Sequence, residues 1–383
     1  VRVDVVVVGG GIMGASISYH LARQGVKVMV IEKGSIANVG GASRASAGGL
    51  RENDRDLREL PLAQYSLERW KRLEEELEED IEFTPSGQLK LFNDTTKLEK
   101  IMEDNKKKRI PSTILDRQGI KEVSTHISSA FSHGIYYLNG GHANPYLATL
   151  AFIHAAKRYG AIVKTGLGVS GISVKSGKVQ GVFTGDKIVS CDKVINATGA
   201  WAPILHETLG IEWSLPISPR SPQMSATLPA PKFLGPVISI EGRKLSLKQT
   251  MDGRIRAGGG YQSDPGPTKF SATYSEESLN EQRKQVLSVL PEASSYPVDF
   301  TYYGIEAQCV DEVPILGSIP DIEGYLLATG FSGHGFTLSP GIGQVMADIV
   351  QEKEPTISID GLTVERLLDK SIQYEKQGRS FPG

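Results

Sequence analysis

Cysteine is nearly absent. Only Cys191 and Cys309 occur in 383 residues, too few for a disulfide framework and without the paired spacing of a zinc site. A reducing, cytoplasmic setting is therefore expected, and no metal centre. An excess of one charge is missing too: 42 Lys and Arg stand against 44 Asp and Glu, a net of −2. No basic stripe is present that would follow a phosphate backbone, so nucleic acid is not an expected partner. No apolar stretch approaches the roughly 20 residues of a membrane-spanning helix. The run that ends at Val8 stops in glycines and reads as a strand, with no signal peptide before it, and a soluble chain without a membrane span is expected. Internal repeats and low-complexity tracts are also lacking.

What is present is a chain too long for one ordinary core, which implies two domains. Val3 to Val8, interrupted only by Asp4, is a β-branched run, as for a parallel strand covered on both faces. A helix is expected from about Gly11 to Gln24, ended by Gly25, and "KVMVIEK" is a second buried strand closing a βαβ unit at Glu32. Residues 55 to 79 read as one long helix with Leu57, Leu60, Leu67, Trp70, Leu73 and Leu77 as its apolar stripe and Glu74, Glu75, Glu76, Glu78 and Glu79 as its solvated end.

From about Ile81 to Gly141 the pattern changes to short strands such as "GQLKLF", a charged stretch "EDNKKKR" and turns, which reads as an insertion. A helix opened by Pro145 follows, then strand "AIVKTGLGVSGISV", hairpin partner "KVQGVFT" and strand "KVINATGAWA". A second region of alternating strands runs from about Ser214 to Tyr302, with a turn at Asp252-Gly253, before strand, turn and helix return.

Gly9-x-Gly11-x-x-Gly14 follows a strand and opens a helix, so backbone N–H groups and the helix dipole can meet a pyrophosphate. Glu32, 18 residues after Gly14 at the end of the second strand, is placed to accept hydrogen bonds from a ribose. Strand, three glycines and acid together indicate dinucleotide binding. "INATGAWA" and "LLATGFSGHGFTLSPGIGQVMADIV" each end a strand in an Ala-Thr-Gly turn, and the second leads through glycines into an apolar helix. That arrangement suits the delocalised anion of a reduced flavin better than a nicotinamide.

The stretches "VVVVGGGIMGASISYHLARQG", "VIEK", "GGASRASAGGLR", "INATGAWA", "DEVPILG" and "ATGFSGHGFTLSPGIG" span the chain in order. In this combination the sequence resembles the FAD-dependent D-amino-acid oxidase-like family, which includes glycine oxidase, sarcosine oxidases and the β subunits of amino-acid and opine dehydrogenases. The resemblance implies an α/β fold, α+β overall: a discontinuous Rossmann-type FAD domain (1–80, 142–213 and 303–383) and a mixed-sheet substrate domain (81–141 and 214–302). It implies oxidation of a C–N bond in an amino acid or secondary amine by hydride transfer to flavin N5, giving an imine that hydrolyses. Alternatives are an FAD-carrying subunit of a dye-linked dehydrogenase complex, with partner subunits or a homo-oligomer, and a flavin 2-hydroxy-acid oxidase.

Carried over onto this sequence, the family pattern assigns FAD contacts to Gly9, Gly11, Ile12, Met13 and Gly14, and to Glu32 and Lys33. The loop under the ring contributes Ala42, Ser43, Arg44, Ala47, Gly48, Gly49 and Leu50. Further contacts fall on Val169, on Ala197, Thr198, Gly199 and Trp201, and on Gly330, Gly333, His334, Gly335, Phe336 and Thr337. Arg51 resembles the arginine that holds a substrate carboxylate, or is a structural ion-pair residue. His334 faces the flavin edge or bonds to its own loop, and Tyr261, Tyr302 and Tyr303 are candidates for the pocket wall or for core packing. His20, His142 and His154 read as structural or surface residues.

Three departures stand out. Glu306 replaces the arginine that grips a carboxylate in glycine oxidase-like sequences, Thr337 stands where sarcosine oxidases have a lysine, and the oxygen-activating lysine has no evident match in "RIRAGGGY". The covalent flavin cysteine of sarcosine oxidases falls near Gly304, five residues before Cys309, so non-covalent FAD is expected. Glu306 either reads a cationic group of the substrate or serves an ion pair or interface.

Overall fold

The computed structural model describes residues 2–368; residues 369–383, which the sequence reading attached to the FAD domain, lie outside the described residues. A six-stranded sheet has the order Ile315–Ser318, Tyr325–Thr329, Lys193–Asn196, Val5–Val8, Val28–Ile31, Ile162–Lys164. All neighbours are parallel except the first pair. The unbroken valine run follows from its central place. Val5 and Val7 join the core beneath helices Ile12–Arg23, Pro145–Arg158 and Gly335–Val350, whereas Val6 and Val8 join the core shared with a three-stranded antiparallel sheet on the other face. Period-two alternation places both sets in apolar surroundings, so no polar residue is tolerated between them.

A mixed eight-stranded sheet is built wholly from two separated stretches, strands within 88–137 and strands within 223–303. They join where Gln88–Phe92 pairs parallel with Val237–Ile240; the other neighbours are antiparallel. Among the described residues no helix is long and apolar enough to cross a membrane.

Four local expectations are corrected. The single helix over 55–79 is two, Leu60–Trp70 and Leu73–Leu77, with turns at 53–54 and 57–59 before them and Leu57 exposed. The break between them turns Leu73 and Leu77 into the core and brings Glu76 against Arg23, Arg69 and the Tyr19 hydroxyl; Glu74 accepts from the backbone of Ile81 and Phe83. These two acids are thus not a solvated end. "AIVKTGLGVSGISV" is two strands in different sheets, Ile162–Lys164 and Gly171–Lys175. "EDNKKKR" is the end of helix Leu98–Lys107 and the two residues after it; buried Leu98 and Asn105 set the helix's inner face. A helix, Glu276–Val289, capped by Ser275, interrupts the second region of strands.

Candidate functional site

A cleft of about 980 Å³, measured out to its open mouth, lies where the six-stranded sheet's C-terminal strand ends meet the eight-stranded sheet. One wall carries Ile12 and Met13 at the start of the first helix, then Ser43 and Ala47 of the following loop, Ala197 and Gly199, and Gly333 to Phe336 without His334. The opposite wall carries Pro222, Met224, Gly259 and Gly260, with Gly304 and Glu306 beside them.

Close approach dictates the glycines. A Cβ on Gly14 would stand 1.9 Å from the Gly9 carbonyl oxygen, and one on Gly9, whose φ is +112°, would stand 2.5 Å from that of Ala197. Strand, turn and helix can meet only over bare backbone. Two helices begin at this cleft without a side-chain cap, Ile12–Arg23 and Gly335–Val350. Their starts touch, since a Cβ on Gly335 would lie 3.0 Å from the Met13 Cε. Two positive helix ends therefore converge on one space, which favours an anionic group there. The Ile12 N–H donates to the Ser43 hydroxyl, and the Glu32 carboxylate accepts from the N–H groups of Gly10 (2.6 Å) and Gly34 (2.7 Å), holding the acid at the end of its strand.

Of the residues lining this cleft, Glu306 is the only ionisable one among those described. It opens strand Glu306–Cys309, antiparallel to Ile217–Arg220, with Arg220 opposite it in register. No ion pair joins the two residues. Burial pushes the Glu306 carboxyl up from 4.5 to about 7, against the opposing pull of Arg220.

Other expected site residues sit elsewhere. Arg51 lines neither this cleft nor its neighbour: it is buried, donates to the Asn53 carbonyl (3.0 Å) and lies 3.8 Å from Asp54, so it belongs to a structural charge cluster. His334 turns away from the cleft. Its Nδ1 meets the fully buried Glu59, and burial pushes the imidazole down from 6.5 to about 4 against the opposing pull of that carboxylate. Glu59 in turn lies 3.8 Å from Arg55. Thr337 is buried and hydrogen-bonds Gly49 O, Arg51 N and Arg55. Gly49 and Leu50 pair with Gly141–His142 as a short strand, and Gly48 makes a tight approach to Ala143 O.

Gly330 packs on Cys309, Thr198 bonds to Asn196, and Trp201 stacks on Phe270. Val169 packs on the core of the sheet's far face, and exposed Lys33 lies along Gly168. Tyr261 lies near Lys244 and lines neither cleft.

A second cleft of about 1150 Å³ lies behind Ala45, Ser46 and Ala47, which line both. It receives Tyr302 and Tyr303, and Arg44, whose guanidinium stacks 3.8 Å over Tyr146. Sequence reasoning missed the substrate-side wall, Met224 with Gly259 and Gly260, and also Phe331. The only available signal was the Gly-Gly-Gly run ending a predicted strand.

Residues 4–349 match the family model described as FAD dependent oxidoreductase. The chain belongs to that family. It is similar to glycine oxidase of Pseudomonas putida, 25% identical over 365 residues, covering 92% of this chain and 96% of that one. It is also similar to mitochondrial dimethylglycine dehydrogenase of Mus musculus, 24% identical over 389 residues, covering 95% of this chain but 44% of the relative, so it spans less than half of that protein's length. Among solved structures, L-proline dehydrogenase from P. horikoshii superposes with a TM-score of 0.89 at 29% identity, covering 96% and 98% of the two chains.

As an FAD dependent oxidoreductase, the chain offers residues that fit the cofactor. The converging helix starts suit a diphosphate, the held Glu32 carboxylate suits a ribose, and the wall of glycine and alanine leaves room for a flat ring.

Proposed function

We propose that the chain oxidises the C–N bond of an amine or amino acid. FAD supplies an acceptor for the hydride. The residues do the rest: the glycine-walled cleft holds the reacting carbon against the ring and excludes water from it, and Glu306 draws the nitrogen to one end. The observation that carries this reading is the charge of the cleft lining, where the one ionisable side chain among the described residues is an acid, complementary to an ammonium group. The relatives are named for glycine, dimethylglycine and L-proline, which share an amine nitrogen and so support the same choice. No described lining residue is a cation, so a substrate carboxylate is held at the mouth or is absent; Arg51 is not given that role.

In the same reading the six-stranded part holds FAD and the eight-stranded part closes over the substrate. The flavin is bound without a covalent link, since both cysteines are buried and line neither cleft. The test is an anaerobic screen of amines, amino acids and 2-hydroxy acids for bleaching of the flavin absorbance, which needs no assumption about the electron acceptor. Bleaching by a hydroxy acid and by no amine refutes the proposal.

A further inference from the structure

Glu306 is more than a charge of the right sign. It stands at the junction of the two walls, beside Gly304, where a Cβ would come within 2.6 Å of both the Ala45 Cβ and the Gly41 carbonyl oxygen; the backbone there is pressed against the loop assigned to the ring. Its surroundings supply no counter-ion. On the neighbouring strand, Arg220 stands opposite it in register and pulls against the burial but forms no ion pair with it. In the 330–335 loop the Ser332 hydroxyl is engaged with Gly330 O and Cys309 N, and His334 is turned to Glu59. In the 40–47 loop Arg44 is stacked on Tyr146 and faces the second cleft. The facing sheet presents Pro222, Met224, Gly259 and Gly260, none of which titrates.

We propose that Glu306 is the proton acceptor for the substrate ammonium group, resting on the reading of the substrate as an amine. An ammonium has no lone pair and cannot give up a hydride from its α-carbon. Transfer of one N–H proton to the Glu306 carboxylate leaves a neutral amine. Its lone pair then forms the C=N bond as the α-C–H bond breaks and the hydride, with both electrons, passes to oxidised FAD. The product is an iminium ion, and the carboxyl returns its proton to water through the cleft mouth. A carboxyl pushed up to about 7 by burial stays ionised enough near neutrality to accept, and it makes the uphill transfer from an ammonium less costly than transfer to an ordinary carboxylate.

The sign of the pH dependence follows. Below about pH 7 the wild-type carboxyl is already protonated and reduction slows about tenfold per pH unit; above it the rate is flat. The experiment is stopped-flow anaerobic reduction of the FAD-loaded chain by an amine that bleaches it, from about pH 5.5 to 9.5, for wild type, Glu306→Gln and Glu306→Asp. The Gln protein must wait for amine that is neutral in solution. For an alkylamine of lysine-like pKa that fraction rises about tenfold per pH unit, so the Gln protein should lose the plateau above about pH 7 and keep climbing about tenfold per unit toward the pKa of the amine. The Asp protein should keep a limb near neutrality.

A second readout needs no turnover. Binding of tert-butylamine, which has no α-hydrogen, should release no proton from wild type near pH 8 but about one per site from Glu306→Gln, measured with an indicator dye. A Gln protein that keeps the break at about pH 7 and the plateau above it overturns the role of Glu306 and leaves the amine reading intact. Failure of every amine to bleach even the wild type overturns both.

Discussion

His20 offers a test of the fold that is independent of the cofactor. It lies inside helix Ile12–Arg23, 3% exposed, with its ring 5.0 Å from that of Tyr19 and 6.4 Å from that of Phe152. Its Nδ1–H donates to Ser16 O at 2.9 Å, and helix Gly335–Val350 crosses so closely that a Cβ on Gly343 would meet the Nδ1 at 2.4 Å. Burial pushes the imidazole down from 6.5 to about 4. A depressed histidine is neutral in the folded chain but takes a proton in the unfolded one, so its effect is absent above about pH 6.5 and stability is lost as pH falls from there toward 4.

At 1.36 kcal/mol per unit the whole loss is about 3 kcal/mol, of which about 2 has accrued at about pH 5. Glutamine keeps a donor for Ser16 O but does not titrate. In urea unfolding at a fixed excess of FAD, the stability of His20→Gln relative to wild type should therefore rise by about 2 kcal/mol between about pH 7.5 and pH 5. Any constant cost of the substitution cancels in that difference. If the two proteins lose stability in parallel, to within about 0.5 kcal/mol, the imidazole is not held neutral by the helix crossing, and the reasoning fails.

Acid precipitation should release the flavin into the supernatant, because neither cysteine lines a cleft; flavin colour retained on the pellet would contradict this. Glu32→Ala should raise the Kd for FAD about tenfold to a hundredfold, the worth of about 1–3 kcal/mol in charge-assisted hydrogen bonds, by titration of the apoprotein. Arg51→Ala should lower the unfolding free energy by about 2 kcal/mol through lost packing and buried hydrogen bonds. It should leave the amine concentration for half-maximal flavin reduction within about threefold of wild type; a large selective rise would return Arg51 to the substrate.

The parts of this fold that were legible are those governed by short-range rules. The Val3 to Val8 run, the glycine turn after it and the acid at Glu32 each state their environment within a few residues, and the structure puts them at one end of a central strand. Helix Glu276–Val289 carried a readable start, Ser275 followed by Glu276 and Glu277, but its polar sequence hid it among strands. Leu98, Ile101, Met102 and Asn105 fall at i, i+3, i+4 and i+7, a helical stripe that the surrounding lysines and acids masked.

The family resemblance offered Arg51 and His334 a place at the cleft, with a structural role as the alternative for each. What turns them away is the buried acid Glu59 together with Asp54, residues of a segment read as plain helix or turn. Met224, Gly259 and Gly260 reach the cleft through the register of a sheet assembled from two distant stretches, which no local pattern encodes.

The way the cleft is assembled bears on how the protein is made. Its walls draw on residues 11–13, 42–47, 197–199, 222–224, 259–260, 304–307 and 328–336. Strand Val5–Val8 finds one of its two partners only when Lys193–Asn196 has been synthesised, and the 331–336 wall comes nearly 140 residues after that. A nascent chain can fold βαβ fragments early, yet it has nowhere to place FAD until helix Gly335–Val350 emerges. The cofactor therefore stabilises the finished fold by mass action and none of its precursors. In a cell short of FAD the result would be complete but empty chains, the form most exposed to proteolysis, and yellow colour per chain would serve as an assay of successful maturation.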